Sequence, residues 1–179
     1  MSIEQDVLRE IEKSRQNTSK LYSYLYDLVY EGKVKNIKFL EGLYSSFLKD
    51  ERSSIRQISI YALLFGLQIK NDIYKQKAIE FIRDLRSSLD LRLFSLSGLS
   101  QAYADTYDLE VLNIFYSLFR NEDEDSDIRA SCFTGMMRVI GLSTVEITRK
   151  NGNLIISYDD ILFDEFGDSM GIIEKLINT

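Results

Sequence analysis

The side chains that most often do chemistry are nearly missing from this chain. Among its 179 residues there is no histidine and a single cysteine, Cys132. Histidine is the commonest general base near neutral pH and the commonest transition-metal ligand, so Ser–His and Cys–His nucleophile pairs are excluded. A lone cysteine closes no internal disulfide, which fits a reducing compartment. No Gly-x-Gly-x-x-Gly or Walker phosphate cradle occurs. The expectation is a protein that is not an enzyme, with no cofactor and no metal.

Carboxylates are the remaining reactive class, and they are densest at Asn121-Glu122-Asp123-Glu124-Asp125-Ser126-Asp127. The alternation of Asp123, Asp125 and Asp127 resembles the opening of an EF-hand calcium loop. The loop then fails, because Ile128 replaces the turn glycine and Thr134 stands where a bidentate Glu is needed. Two readings remain: a solvated turn whose carboxylates favour the next helix N-terminus, or an acidic contact patch for a basic partner.

Charge points the same way. Lys and Arg number 22 against 28 Asp and Glu, a formal charge of -6. Neutralising phosphates drives most nucleic-acid affinity, so an acidic chain is a poor candidate for it. A basic protein partner fits better, although acidic surfaces are also common on proteins that bind nothing in particular. Tyrosines add a second contact chemistry, since a phenol joins apolar area to a polar tip. Tyr22, Tyr26 and Tyr30 share i, i+4 spacing and are expected to pack against the next repeat, leaving Tyr24 exposed.

The elements that must carry these groups are helices. The chain has no proline and 9 glycines, with 45% hydrophobic residues, so helix breakers are few and a core is affordable. Three segments align without gaps: Ile55 to Leu63, Leu91 to Leu99 and Ile128 to Met136. Their starts lie 36 and then 37 residues apart. Each reads aliphatic, Arg, two variable residues, Ser or Cys, two variable residues, Ala or Gly, then Leu or Met. Positions one, five, eight and nine share one helical face, and the small pair lets a neighbouring helix come close. Cys132 occupies a small slot and is read as a packing residue. Arg56, Arg92 and Arg129 are expected to bind turn carboxylates or carbonyls. Upstream of each signature lies a second amphipathic segment: Val34 to Leu48, Ile73 to Leu85 and Leu109 to Phe119. Ser53, Ser87, Ser88 and Ser126 are candidate N-caps of the second helices, and Asp72 and Asp108 open two of the first.

This pattern resembles the HEAT repeat, whose second helix carries Asp, often Pro, a variable residue, Val or Ile, then Arg. Asp125-Ser126-Asp127-Ile128-Arg129 matches best. The other two copies keep the Arg but have Arg52 and Ser88 in the Asp position, and no copy has the Pro. The resemblance covers residues 34 to 142 and implies a fold more than a task, because such solenoids serve many unrelated ones. HEAT-like DNA glycosylases would imply a basic groove, which this tryptophan-free, acidic chain lacks.

The expected architecture is all-α: a right-handed α–α superhelix of HEAT-like helical pairs in a single domain. Residues 1–33 form N-terminal capping helices (Ile3 to Lys13, Ser19 to Tyr30), 34–143 the repeats, and 144–179 a C-terminal cap. That cap is predicted as a small β-hairpin, with Val145 to Thr148 and Leu154 to Ser157 flanking Asn151-Gly152, a strong hairpin signal. Helices over Asp159 to Phe166 and Ser169 to Ile177 follow. The charged N-terminus has no apolar signal core, and no apolar run approaches the roughly 18 residues of a membrane span, so the cytoplasm and no membrane partner are expected.

Two functions compete. The first is a non-catalytic protein-binding module of the immunity-protein kind, binding and neutralising a bacterial toxin, with a basic nuclease toxin suited to its acidic charge. The second is a HEAT-like scaffold or adaptor subunit of a larger complex. An accessory factor acting on a bound cofactor comes third. Contact residues expected from exposure and charge are Tyr24, Gln57, Tyr61, Gln101, Asp105, Glu122, Asp123, Glu124 and Asp127.

Overall fold

Helix follows helix along the chain. The computed structural model describes residues 2–32 and 34–178; the expected boundary at 33/34 falls on Lys33, which lies outside them. Among the described residues there are ten α-helices and no strand: α1 (Ile3–Ser14), α2 (Thr18–Tyr30), α3 (Ile37–Ser46), α4 (Ser53–Tyr61), α5 (Asp72–Arg83), α6 (Leu89–Ala102), α7 (Leu109–Arg120), α8 (Ser126–Val139), α9 (Thr144–Asn151) and α10 (Gly167–Ile177). None of these helices is long and apolar enough to cross a membrane. The chain divides into two compact units, Met1–Gly98 and Leu99–Thr179, with the division inside α6.

In the first unit, α1–α2 and α3–α4 are helical pairs, and α5 leads into α6. The signature faces inward as its spacing predicts: Ile55, Ser59, Ala62 and Leu63 are fully buried, as are Leu91 and Ser95. Buried hydroxyls need partners, and these bond back to their own helix, Ser59 Oγ to the Ile55 carbonyl at 2.6 Å and Ser95 Oγ to Leu91 at 2.7 Å. Gly98 marks a close helix approach, since a Cβ there would lie 2.9 Å from Leu64 Cβ. Two caps of this unit differ from expectation by one residue. Ser53 is the first residue of α4, after Arg52, and Asn71 rather than Asp72 caps α5 by accepting from Ile73 N. Ser88 does receive the Leu91 N–H at 3.3 Å. Arg52, just before α4, forks onto Asp50 at 2.8 and 2.7 Å. Arg86 repeats this with Asp84.

In the second unit α7 packs on α8, and Ile128, Cys132 and Met136 are fully buried with Gly135 between them. Asp125, not Ser126, caps α8, accepting from Asp127 N at 2.9 Å and Ile128 N at 3.3 Å. The signature arginines bind carbonyls: Arg129 Nε reaches Phe119 O and, in the first unit, Arg92 Nε reaches Ile82 O, each ten residues back. Arg56 takes Asp50 O and Glu51 O.

The expected β-hairpin is corrected. Residues 144–151 are helix α9, opened by a capping box in which Ser143 Oγ accepts from Glu146 N at 3.2 Å and Glu146 Oε2 accepts from Ser143 N at 2.8 Å. Gly152, at φ 76°, ends the helix instead of turning a hairpin. Residues 154–157 are irregular and lead into short 3-10 turns at Tyr158–Asp160 and Phe163–Phe166. Buried Asn151 organises this segment, donating to Asn153 O and Asp160 O and accepting from Leu162 N at 2.8 Å.

Candidate functional site

Three second helices of the first unit, α2, α4 and α6, share an aromatic ladder. On α2 the core row is Leu21, Leu25 and Leu28. A second i, i+4 row, Tyr22, Tyr26 and Tyr30, stands beside it and is left at the surface. Tyr26 is 39% exposed and Tyr30 51% exposed. The expectation that this row packs against the next repeat holds in part: Tyr22 is half-buried and Tyr30 reaches Tyr61 of α4, but Tyr26 and Tyr30 stay exposed because leucine took the core. Ring centroids of Tyr22 and Tyr26 lie 6.4 Å apart and 20° from parallel. Tyr26 and Tyr30 close to 4.4 Å. The Tyr30 hydroxyl donates to Tyr61 Oη at 3.1 Å, crossing from α2 to α4.

On α4, Tyr61 stacks on Phe65 at 4.5 Å and 11° and tilts against Phe94 of α6 at 4.9 Å. Phe65 belongs to a π turn, Ala62–Gly66, that ends α4, with Leu67 N bonded five residues back to Ala62 O. Such turns recur at functional sites. The i, i+4 rows of these rings also hold Thr18, Gln57, Asp90 and Gly98, and no lysine or arginine.

Electrostatics raises the phenol pKa values along the α2 row. Burial first, then Tyr26, Asp90 and Tyr30, pushes the Tyr22 hydroxyl above its ordinary pKa. The hydrogen bond to Tyr30, then Tyr30 itself, burial and Asp27 do the same for Tyr26. Tyr30 is raised by burial and by its bond to Tyr61 and lowered by the bond from Tyr26. The hydroxyl bond of the ladder runs from Tyr30 to Tyr61.

The residues expected to bind a partner fall in both units. In the first, Tyr61 is at the centre of the ladder. Gln57 is corrected: it is buried, with 8% exposed, because α4 has neighbours on both sides and Ile55, Ile58, Ser59 and Ile60 bury around it. Tyr24 is half-buried and faces away from the ladder, lining a cavity of about 410 Å³ with Asp6, Glu10, Asp27 and Glu31. In the second unit Gln101 accepts a hydrogen bond from Arg138. Asp105 is exposed in the left-handed region at φ 55°, with its carboxylate beside Gly141.

The acidic run proves to be a helix-capping turn. Asn121 Oδ1 accepts from Asp123 N, Glu124 Oε1 accepts from Asp125 N at 3.0 Å, and Asp125 caps α8. Glu122 and Asp123 remain exposed, whereas Glu124 and Asp127 are half-buried. No group of three or more His, Cys, Asp or Glu among the described residues is arranged to hold a metal ion.

Sequence reasoning missed Tyr26 and Tyr30 as surface groups, and Phe65 and Phe94, both half-buried, as the rings that meet Tyr61. The Tyr61–Phe65 spacing was the available signal; Phe94 sits in a variable position of its signature and had none. Comparisons with protein-family models, with curated proteins and with solved structures each return no match.

Proposed function

We propose that this chain is a non-catalytic protein-binding module which, at finer grain, acts as a cytoplasmic immunity protein that binds and neutralises a bacterial toxin of basic surface. In this reading the HEAT-like pairs stack as a right-handed superhelix and the second helices present the binding face. The observation that carries it is the ladder: aromatic rings from three helices, two of them open to solvent, in rows without a basic side chain. Exposed tyrosine clusters are the usual anchors of protein interfaces, and apolar patches on a surface mark binding sites. A formal charge of -6 supports a basic partner by steering encounter and rejecting acidic competitors.

The test is co-expression with the product of a toxin-like open reading frame adjacent in the native genome. Restored growth and co-elution of the two chains are expected, with both lost in a Tyr26→Ala/Tyr30→Ala double variant that still folds. A weaker but persistent complex is expected for Glu122→Lys/Asp123→Lys if the acidic turn takes part. Growth arrest in the presence of soluble chain would refute neutralisation. Recovery from the native host only within a multisubunit assembly would favour the adaptor role instead.

A further inference from the structure

We propose that the groove between α1 and α2 receives an amphipathic helix of the partner protein, one with basic residues flanking its apolar stripe. This rests on reading the chain as a protein-binding module and names the kind of segment it recognises. Both helices present the same face to the groove, at positions i, i+3, i+4 and i+7. On α1 these are Ile3, Asp6, Val7 and Glu10, and on α2 Tyr24, Asp27, Leu28 and Glu31. Each face reads apolar or aromatic, Asp, aliphatic, Glu. Val7 and Leu28 are buried and, with Val34, form the floor. Asp6, Asp27 and Glu31 are exposed and Glu10 is half-buried, so carboxylates rim both walls. Ile3, 58% exposed, leaves apolar surface uncovered at one end.

Charge and shape commit the groove to one occupant. Among the described residues no lysine or arginine lines it. Lys13 meets Glu10 at 2.6 Å but keeps 61% of its side chain exposed. Asp6 and Asp27 have no side-chain hydrogen bond or ion pair among the described residues. An acidic helix would meet like charge along both walls, whereas lysines or arginines beside an apolar stripe satisfy rim and floor together. The seven steps along each wall rise about 10 Å, two turns of an incoming helix, whose own i, i+3, i+4 and i+7 anchors then reach the floor. An extended segment would turn alternate side chains away from it. Asn36 Nδ2 donates to Glu4 Oε1 at 3.2 Å and ties α1 to the segment carrying Val34. The groove is therefore preformed, and the ordering cost falls on the partner. On α2 it lies on the face turned away from the tyrosines, as a contact separate from the ladder.

The experiment is an NMR titration of the full chain at low salt with a leucine–lysine peptide of about 14 residues, four helical turns, patterned so that its leucines share one face. Two controls have the same length. One keeps the composition but scatters the leucines around the helix, and the other carries glutamate for every lysine. The patterned basic peptide is expected to bind about tenfold tighter than either, with shifts centred on Ile3, Val7, Tyr24 and Leu28. Asp6→Asn/Asp27→Asn should weaken it about fivefold and flatten its salt dependence. Ile3→Ser should weaken it without changing that dependence. Tyr26→Ala/Tyr30→Ala, on the other face of α2, should leave its affinity intact. Equal binding of the patterned and scattered peptides, full affinity in a folded Asp6→Asn/Asp27→Asn variant, or shifts confined to the ladder or to residues 122–127 would overturn the groove. If the toxin complex still forms in that case, the binding-module reading stands and only the groove falls. If the peptide binds as expected but no toxin is neutralised, the groove stands and the immunity role falls.

Discussion

Substituting Gly135 with alanine tests the packing of α7 on α8. A helical glycine normally gains about 1 kcal/mol on becoming alanine. Here the added Cβ would lie 2.4 Å from Phe115 Cε2, 2.8 Å from Cδ2 and 3.3 Å from Cζ. Phe115 is fully buried, so its ring cannot swing into solvent to make room. Overpacking a filled core typically costs about 1–3 kcal/mol; three ring atoms in conflict place this site in the upper part of that range. The net expectation for Gly135→Ala is a loss of about 1–2 kcal/mol, or a Tm lower by roughly 2–8 °C for a chain of this size. Urea and thermal unfolding followed by far-ultraviolet circular dichroism would measure it. Phe115→Leu removes the conflicting atoms, so the double variant should be more stable than the sum of the singles by about 1 kcal/mol. A Gly135→Ala variant stabilised by its full helical propensity, or strict additivity with Phe115→Leu, would refute the close approach.

Further outcomes follow from single contacts. Ser143→Ala removes the capping box of α9 and should destabilise by about 1 kcal/mol, with faster amide exchange over 144–151; unchanged exchange there would mean the cap does not hold the helix. Asn151→Ala leaves the Leu162 N–H and two carbonyls without partners, so a loss of about 2–3 kcal/mol is expected in urea unfolding. Tyr44→Phe removes a 2.7 Å bond to the Leu25 carbonyl and should cost about 0.5–1.5 kcal/mol at neutral pH. Burial, then Tyr24, raises the Tyr44 pKa, so the fold prefers the neutral phenol. That preference stabilises fully below the unfolded value of about 10 and is lost as pH rises through the folded value. The Phe variant should therefore lose less stability above pH about 10 than the wild type, and an equal alkaline loss would sink the argument.

Helices, their order and their buried seam were legible from the residues alone, because each depends on local spacing. A small residue four and seven positions after an aliphatic one marks a seam wherever it occurs, and Ile55, Leu91 and Ile128 are all fully buried. The cap at Ser143–Glu146 was equally local and was outweighed by Asn151-Gly152, a pair that serves a hairpin or a helix end with the same left-handed glycine. Only the tertiary structure decided which of two i, i+4 rows on α2 meets the core, since Leu21–Leu25 and Tyr22–Tyr26 have the same period. It likewise decided that Gln57 is enclosed, because burial on α4 depends on neighbours to both sides rather than on its own sequence. The ladder joins Tyr30, Tyr61 and Phe94 from helices more than 30 residues apart. Such proximity is set by how helices pack, and no spacing along a single helix encodes it.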